Sequence, residues 1–502
     1  MRRLSAAVLL VGLTLVVRVA AVAPPRAAQA LTPDALFQST KVWTVNLTLS
    51  REAWETLSPV APPPPAATAA PAPPPPPPAG GAPAGPPAIP PELVARLLKG
   101  FVASEGHRNG ISGAMKGLDF QYVHASLDLD GRRFQDVGVR VKGNGTFLPQ
   151  FGKPSLKIDL NKFVKGQKLA GVSRLNLQSN ITDASWMNEV LAYRLYRDAG
   201  VPAPRTAYAR VYVTVSGGQE RKYLGLYGLV ENVDEDFASA RFGAPEGAVF
   251  KPVTPVPFKY SGNDWSAYDQ MYDPKTALTA SDRQRVIDFC DLVTNGTDAA
   301  FAAKVGEFLD LGAFAKYMAV LVWMANPDSI LQQGQNYYVY LHPKNRTLSF
   351  VPWDQDHSWG QFVPFTPAET QQRMDLMHPW TRAFAMVAAL DPYAEQLRNR
   401  FLERIFADDA FKRRYLAEMV TLTRTLTQYE RLSAQVDELA QVIAPLMADE
   451  PMTGRTPAFK ESLGLDVFRR PSAPDVVVTP LRTFVRLRQE SVLSQLKALG
   501  VQ

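Results

Sequence analysis

The chain has 502 residues, of which 46% are hydrophobic and 20% are charged, so it can bury a large core in one or two domains. The formal net charge of +6 is small for this length and is not gathered into a long basic run, which argues against a nucleic-acid-binding protein. A mildly basic surface suits an anionic ligand, such as a nucleotide or an acidic polymer, without requiring one. The only cysteine, Cys290, excludes an intramolecular disulfide and is expected to be a buried apolar residue.

The N-terminal segment predicts a signal peptide over residues 1–30. Two arginines follow Met1, the apolar run AAVLLVGLTLVV comes next, and a cleavage motif of the A-x-A type ends at Ala30. Arg18 interrupts the apolar stretch, which favours a cleaved signal over a membrane anchor. We therefore expect a secreted, periplasmic or cell-surface protein. We expect no membrane span after cleavage, because no other segment is long and apolar enough.

Residues 31–58 are predicted to be a folded N-terminal segment, because KVWTVNLTL alternates apolar and polar residues before a helical pattern. The chain from Pro59 to Pro91 then consists almost entirely of proline, alanine and glycine. Such a composition cannot bury a core, so we predict a disordered insertion over residues 59–98. The tract is interpreted as a spacer within one domain, although a ligand for proline-binding modules is an alternative.

The chain from residue 99 to 362 begins with a strand-rich pattern. The segment YVHASLDLDGRRFQDVGVRVKG predicts two strands that meet at an Asp130–Gly131 turn, and KPSLKIDL predicts a third. The segment DASWMNEVLAYRLYRDAG predicts an amphipathic helix with Asp183 as its N-cap and Gly200 at its C-terminal end. TAYARVYVTV and KYLGLYGLVENV predict another strand pair. The pattern indicates a mostly antiparallel N-terminal sheet with one early helix.

The later part of the chain is predicted to be mainly helical. Residues 281–324 have a helical pattern, NYYVYLHPKNRTLSFVPWD predicts a β-hairpin, and residues 363–502 are expected to be a helical part of the same domain. The fold class is therefore α+β.

Four side chains with oxygen ligands are predicted to converge on this hairpin. If its turn lies in HPKNRT, Asn336 stands opposite the residue before Asp354, and Asp356 points to the same side as Asp354. Asp328 follows the apolar helix AKYMAVLVWMAN just before the hairpin. Oxygen ligands without histidine or thiolate favour Mg²⁺ or Mn²⁺ over zinc. Each acid alone would be interpreted as a turn residue or a solvated residue, but the set predicts a divalent-metal site.

The order of an Asp, an Asn, a strand pair and a metal-binding Asp is that of the catalytic half of protein kinases. The chain resembles the CotH kinase family of spore-coat kinases and their secreted bacterial relatives. The resemblance covers roughly residues 118–362 and rests on VGVRVKGNGTF, KPSLKIDL, LNLQSNITDASWMNEVLAYRLYRDAGVPAP, YLGLYGLVENVD and NYYVYLHPKNRTLSFVPWDQDHSWG. It implies an atypical protein-kinase-like, two-lobed fold, with phosphorylation of proteins by ATP.

The resemblance also implies roles for the acidic residues. Asp328 would be the catalytic acid–base residue, Asp354 the main metal ligand and Asn336 a second ligand. Asp356 would be a further ligand or an acid that supports the ligands. Glu231, at the end of YLGLYGLVE, would lie near the linker between the lobes and help to hold the nucleotide.

Basic residues of the strands are the candidates for binding the phosphates of ATP, below a turn at Gly143–Gly145. They are Arg140, Lys142, Lys153 and Lys157. The sequence leaves open which lysine takes the role of the kinase strand lysine. Glu189 on the early helix is a candidate partner for that lysine, although family members need not have an acid there.

The resemblance thus implies a secreted CotH-like protein kinase that transfers the γ-phosphate of ATP to protein hydroxyls with Mg²⁺ or Mn²⁺. Its partners would be ATP and a protein substrate, not nucleic acid. Two other classes stay open: a catalytically inactive structural or coat-assembly protein with the same fold, and an ATPase or metal-dependent hydrolase. The chain has neither a GxxxxGK[ST] motif nor a GxGxxG motif before a valine strand, so a conventional nucleotide-binding fold is not expected.

Overall fold

The structure is a computed structural model, and it describes residues 31–57, 120–143, 152–218, 220–254, 256–332, 334–363, 366–379, 398–452, 454–470 and 473–501. The predicted signal peptide over residues 1–30 and the predicted insertion over residues 59–98 lie outside these ranges. So do residues 144 and 145 of the predicted phosphate turn. Within these ranges, no helix has the length and apolar character needed to cross a membrane.

The strands are numbered β1 to β12 in chain order. They are Val42–Leu49, Val123–Leu129, Arg132–Lys142, Ser155–Asp159, Arg174–Gln178, Thr206–Val215, Lys222–Glu231, Ala248–Phe250, Tyr337–Leu341, Leu348–Pro352, Phe468–Arg470 and Ala473–Val478. The predicted turn at Asp130–Gly131 is confirmed between β2 and β3, where both residues have positive φ angles of 47° and 83°. The alternating pattern of the N-terminal segment is also confirmed as β1.

The first seven strands close into a barrel in the order β1-β2-β3-β4-β5-β7-β6. All of the neighbouring pairs are antiparallel except β1 and β6, which run parallel and close the barrel. The predicted mostly antiparallel sheet is therefore present, but its closure was not predicted. Apolar residues of the alternating strands, such as Val45, Val139 and Leu177, fill the barrel and form a core of their own.

The helices are numbered α1 to α14 in chain order. They are Pro33–Leu36, Arg51–Leu57, Asn188–Asp198, Glu235–Phe242, Asp269–Tyr272, Ala280–Thr294, Asp298–Phe308, Leu311–Trp323, Ala368–Gln372, Arg400–Ala407, Asp409–Thr425, Tyr429–Ile443, Arg455–Ser462 and Leu481–Ala498. In the described ranges, 3₁₀ helices cover Trp265–Ala267 and Ala444–Asp449. The apolar helix α8 is buried along most of its length within a second, larger core.

The hairpin β9–β10 packs in this second core beside β8. Its register pairs Tyr337 with Pro352, and the Trp353 N–H donates to the carbonyl of Asn336. The prediction that Asn336 lies opposite the residue before Asp354 is therefore confirmed. The α+β class is also confirmed, with a barrel in the N-terminal half and helices with a small sheet in the C-terminal half.

Two sequence predictions about elements need correction. The early helix α3 begins at Asn188 and not after Asp183, because Trp186 has a φ angle of 57° that a right-handed helix cannot contain. Asp183 still accepts a hydrogen bond from the Asn188 N–H at 2.9 Å, so it supports the helix start from outside. The C-terminal part also contains the two-stranded sheet β11–β12, which the helical pattern did not predict.

Candidate functional site

A cleft lies between the barrel and the hairpin β9–β10. Its barrel side is built from directly paired residues: Arg140 of β3 pairs with Lys157 of β4, which pairs with Asn176 of β5. Paired residues on neighbouring strands point to the same face, so these three side chains form one row in the cleft wall. Lys142 lies two residues farther along β3, about 7 Å from this row.

The hairpin side of the cleft carries the acidic and amide groups. Asn336 before β9 and Asp354 after β10 both line it, together with the rings of Tyr338 and Trp353. Asn336, just before the hairpin, and Asp354, just after it, have φ angles of 61° and 51°. Both residues therefore have left-handed backbone conformations. The hairpin register, combined with these two turns, aims an amide and a carboxylate at the basic row across the cleft.

Asp354 is a largely buried carboxylate with a raised pKa. Burial is the main cause, and the nearby negative charge of Asp356 adds to it, while Lys142 opposes the shift. The Asp354 N–H donates to the Tyr193 hydroxyl at 3.0 Å, which fixes the backbone of the turn. A buried carboxylate next to a second acid is a group that a divalent cation would stabilise.

Gln178, the last residue of β5, bridges the two charged sides of the cleft. Its Oε1 accepts a hydrogen bond from the Lys142 ammonium at 2.8 Å, and its Nε2 donates to Asp354 Oδ1 at 3.3 Å. The Lys142 ammonium also lies 4.9 Å from the centre of the Trp353 ring. Burial lowers the pKa of Lys142, and the charges of Asp354 and Glu189 partly restore it. Of the candidate lysines, Lys142 is thus the one that lies beside the predicted metal ligand.

Asp328 and Asn336 form a single hydrogen-bonded unit. The Asn336 Nδ2 donates to the Asp328 carbonyl at 2.8 Å and to its Oδ2 at 3.0 Å, while Gln335 Nε2 donates to Asp328 Oδ1 at 2.6 Å. Because the amide group is planar, these bonds turn Asn336 Oδ1 away from Asp328, where it can act as a ligand. Burial raises the pKa of Asp328 to about 6, which suits a group that exchanges a proton near neutral pH.

Asp356 lies at a second, smaller pocket that shares Asp354 with the cleft. Its Oδ2 accepts a hydrogen bond from the Thr182 hydroxyl, and its carbonyl accepts one from Asn188 Nδ2 at 2.8 Å. Residues of the loop before α3 and of the first turn of α3 therefore hold the acidic turn in place. The structure brings Asp356 close to Asp354 but does not line the main cleft with it.

Glu189 also reaches the smaller pocket and is 5% exposed. The Tyr193 hydroxyl donates to Glu189 Oε1 at 2.8 Å, and burial together with the charge of Asp354 raises the pKa of Glu189 to about 8. The charges of Glu189 and Lys142 interact, although the Lys142 ammonium donates its short hydrogen bond to Gln178. The candidate lysine partner on the early helix is thus placed next to Lys142.

Lys153 does not line the cleft described here, in contrast to its prediction as a phosphate ligand. Its side chain is 2% exposed, and its ammonium pairs at 2.7 Å with the carboxylate of Glu450, whose side chain is fully buried. The rings of Trp186 and Tyr227 lie 5.0 and 5.2 Å from the ammonium. These contacts already compensate the Lys153 charge in a closed environment, away from the residues that line the cleft.

Glu231 is likewise occupied elsewhere, in contrast to its prediction as a nucleotide ligand. The Oε1 of Glu231 accepts a hydrogen bond from Arg205. Its Oε2 accepts one from Arg205 Nε at 3.1 Å and one from Arg241 at 2.9 Å. The residue is 1% exposed, so two guanidinium groups surround its charge. This arrangement fits an ion pair that fixes the end of β7, and Glu231 does not line the cleft.

The cleft contains basic residues that the sequence did not single out. Lys251 follows β8, and Lys275 belongs to the loop after α5, where its ammonium pairs with Asp273 at 2.6 Å. Neither lysine lies in a motif, because each reaches the cleft from an irregular segment. Lys157 is also present and donates to Asn232 Oδ1 at 2.9 Å. The cleft wall is therefore more basic than the strand pattern indicated.

The donor set fits Mg²⁺ or Mn²⁺ bound together with phosphates. In the described part of the chain, no three carboxylate, histidine or cysteine side chains are arranged to hold one metal ion. Mg²⁺ in phosphate-transferring proteins needs only one or two carboxylates, because phosphate oxygens and waters complete its coordination. Asp354 and Asn336 Oδ1 supply such a partial set on one side of the cleft, opposite the basic row.

Comparisons with known proteins were consistent with the sequence pattern. The family model described as CotH kinase protein matches residues 139–492. Inner spore coat protein H of Bacillus subtilis (strain 168) is 22% identical over 368 residues, covering 71% of this chain and 86% of that protein.

A solved structure gives a much weaker likeness. A chain of the HipA, HipB and operator DNA complex of Shewanella oneidensis MR-1 is 14% identical, covering 69% of this chain and 64% of that chain. Its TM-score of 0.26 is too low to carry an argument. The family match is the informative comparison, since its range includes Lys142, Asn336 and Asp354.

Proposed function

The chain belongs to the CotH kinase family, and from that premise we propose that it is a protein kinase. It transfers the γ-phosphate of ATP to hydroxyl groups of a protein substrate, with Mg²⁺ or Mn²⁺ as cofactor. The observation that carries this proposal is the meeting of Lys142, Asn336 and Asp354 in one cleft. We further propose that residues 1–30 direct the protein out of the cytoplasm.

The proposal includes a two-lobed, kinase-like architecture. The barrel has its own core, the helical half has another, and the cleft lies between the barrel and a hairpin of the helical half. Kinases bind the nucleotide between two such parts, with a strand lysine on one side and the metal ligands on the other. Lys142 on β3 and Asp354 after β10 stand in this relation.

The basic wall of the cleft is suited to a polyphosphate. Arg140, Lys142, Lys157, Lys251 and Lys275 all line it. Hydrogen bonds from cationic donors to phosphate oxygens are among the strongest in proteins. The cleft brings these donors together from β3, β4, the residue after β8 and the loop after α5. Lys142 is the proposed strand lysine, because it alone among the candidates is bridged to Asp354 through Gln178.

The acidic side would hold the metal ion. Asp354 and Asn336 Oδ1 are the proposed protein ligands, and Asp356 supports Asp354 from the neighbouring pocket. When bound, the ion would bridge phosphate oxygens and offset the charge that develops during transfer. Asp354 keeps its place through the Tyr193 hydroxyl, and Asn336 keeps its orientation through Asp328.

Asp328 is the proposed catalytic base. Its carboxylate accepts the proton of the substrate hydroxyl as the new O–P bond forms and the bond from Pγ to the bridging β,γ-oxygen breaks, which releases ADP. The hydrogen bonds from Gln335 and Asn336 hold the carboxylate in one orientation. The raised pKa of about 6 makes this carboxylate a better proton acceptor than an ordinary aspartate while leaving it ionised at neutral pH.

The test uses the mature protein, γ-labelled ATP and Mn²⁺, with a generic protein acceptor and a search for self-labelling. Label on protein that depends on both metal and Lys142 supports the proposal. Lys142→Met removes the ammonium while keeping the length of the side chain, and Lys165→Met on the exposed surface serves as a matched control. Equal labelling by the Lys142→Met variant and the wild type would reject the proposed role of this lysine.

A second candidate is a kinase-like protein without turnover that acts in coat or surface assembly. It is favoured by the name of the relative, Inner spore coat protein H. ATP binding without transfer in the same assay would select this candidate. Release of labelled phosphate to water, with none on protein, would instead indicate an ATPase.

A further inference from the structure

Arg455, at the start of α13, is a charged residue whose location the proposed chemistry does not explain. The side chain is fully buried, and its guanidinium lies 4.0 Å from the centre of the Trp186 ring. A buried guanidinium requires several acceptors to offset its lost hydration. Three carbonyl acceptors of Arg455 belong to one short loop of the chain, residues 180–183, some 270 residues earlier in the sequence.

The contacts of Arg455 surround a residue of the candidate site. Its Nη2 donates to the carbonyls of Asn180, at 2.7 Å, and Asp183, and its Nη1 donates to the carbonyl of Ile181 at 3.4 Å. The remaining residue of the loop, Thr182, donates its hydroxyl to Asp356 Oδ2. Arg455 thus fixes the backbone on both sides of Thr182, whose side chain contacts the acidic turn.

The loop leads into a segment with unusual backbone. Asn180 has a φ angle of 51°, which asparagine tolerates better than most residues, but Trp186 has a φ angle of 57°, which a bulky side chain rarely adopts. Three carbonyl acceptors held by one rigid, planar guanidinium define the loop position better than a flexible ammonium could. Asp356 in turn lies next to Asp354, whose pKa it raises.

We infer that Arg455 is a positioning residue for the acidic turn: it orients the Asp356 carboxylate through the 180–183 loop and the Thr182 hydroxyl. The metal-related consequence rests on the proposed function, but the mechanical link between α13 and the turn does not. Helix α13 is therefore part of what sets the geometry of the site, although none of its described residues lines the cleft.

The first experiment measures amide hydrogen exchange of the mature protein without nucleotide or metal. Arg455→Lys keeps the charge and loses the planar fork. Exchange should rise in the 180–183 loop and also in the turn over residues 354–359, where the Trp359 N–H donates to the Met324 carbonyl. Thr182→Val, which removes only the hydroxyl, should raise exchange in the turn. If Arg455→Lys speeds amide exchange in the loop but leaves exchange in the turn unchanged, the inference is overturned.

Arg404 provides a matched control. Its guanidinium is also buried, donates to the carbonyls of Leu292, Val293 and Thr297, and lies 4.5 Å from the Phe301 ring centre. These contacts are in the helical half, away from the loop. Arg404→Lys should lower the melting temperature without changing exchange at residues 354–359. If it changes that exchange as much as Arg455→Lys does, the effect is general destabilisation and the inference fails.

The second experiment titrates Mn²⁺ at saturating ATP. Arg455→Lys and Thr182→Val should each raise the half-saturating Mn²⁺ concentration by about 10-fold, as is typical for residues that orient metal ligands. Together they should raise it by no more than the larger single effect, because both act through one contact. Thr182→Ser, which restores a hydroxyl, should recover the wild-type value.

Additive effects of Arg455→Lys and Thr182→Val on the half-saturating Mn²⁺ concentration would show that Arg455 acts by another route. A wild type without metal-dependent ATP binding would reject the proposed function, while the exchange experiment would still decide the link.

Discussion

Two groups of buried charges in this protein differ in how the charges are compensated. In one group, the Lys153 ammonium and the Glu450 carboxylate pair at 2.7 Å, and the second oxygen of Glu450 accepts the Leu226 N–H at 2.9 Å. In the cleft, Asp354 accepts a 3.3 Å hydrogen bond from Gln178, and a second acid lies beside it. The first group is closed around a direct ion pair, whereas Asp354 in the second makes no direct ion pair with any described residue.

This difference separates structural charges from functional ones. Lys153 and Glu231 were predicted to bind the nucleotide because of their residue type and position, but each has opposite charges in direct contact. Carboxylates that are held close together, across a cleft from several cations, keep a repulsion that a ligand with a metal ion can relieve. Burial alone is therefore a poor indicator of a binding site, and incomplete charge compensation is a better one.

The largest effect should come from Asp354→Asn, which removes a carboxylate charge from the cleft. We expect loss of phosphoryl transfer by at least about 10³-fold and loss of metal-dependent ATP binding, because the main metal ligand is removed. The apo protein should be no less stable, since a like-charge pair is relieved. Calorimetric titration of ATP with and without Mn²⁺, together with apo melting, checks both parts. ATP binding as tight as in the wild type with metal present would assign the acidic turn a structural role.

The opposite result is expected for Glu450→Gln in the compensated group. Breaking a buried pair should lower the free energy of unfolding by about 3–5 kcal/mol, because the Lys153 ammonium stays buried without its counter-charge. Denaturant unfolding measures this loss. Adding Lys153→Met should recover most of it, since replacing both partners avoids the unpaired charge. If the double variant is as unstable as the single one, the loss comes from another contact of Glu450.

Asp328→Asn tests the proposed base, which does not itself line the cleft but is hydrogen-bonded to the cleft residues Gln335 and Asn336. We expect transfer to fall by about 10²-fold, because the amide cannot accept the hydroxyl proton. Nucleotide affinity should persist, since Asp328 is not a proposed metal ligand. Transfer rates with labelled ATP and direct binding of ATP measure the two quantities separately. Transfer at the wild-type rate would show that another group takes the proton.

The pH dependence follows from the raised pKa of Asp328. Only the ionised carboxylate accepts a proton, so the transfer rate should fall about tenfold per pH unit below a pKa of about 6 and level off above it. A bound cation favours the ionised form, so the fall should begin at or below this value with metal present. Rates between about pH 5 and 8 check the profile. Glu189→Gln is the control, because the pKa of Glu189 is about 8 and its titration would appear at higher pH.

The smallest effect is expected from deleting Pro59 to Pro91. A tract of proline, alanine and glycine buries little apolar surface, so the melting temperature of the mature protein should remain nearly unchanged. Thermal unfolding of the deletion variant checks this. A large drop would show that the tract packs against one of the two cores.

The sequence alone determined the local elements and part of the site. The strands β1 to β4, β6 and β7 and the hairpin β9–β10 follow from periodic side-chain patterns and turn residues, which depend on neighbours in the chain, whereas β5 was not predicted. The same local information placed Asn336 opposite the residue before Asp354, because the register of a hairpin is set by its turn. It also carried enough motif content for the family to be recognised.

The tertiary structure decided which charged residues face the cleft. Lys153 pairs with Glu450, 297 positions away, and Asp354 contacts Gln178 across 176 positions, so no local pattern predicts either partner. Lys251 and Lys275 reach the cleft from irregular segments, where no periodicity fixes the direction of a side chain. A charge is structural or functional according to the groups around it in space, and only the packing of the barrel against the helical half brings those groups together.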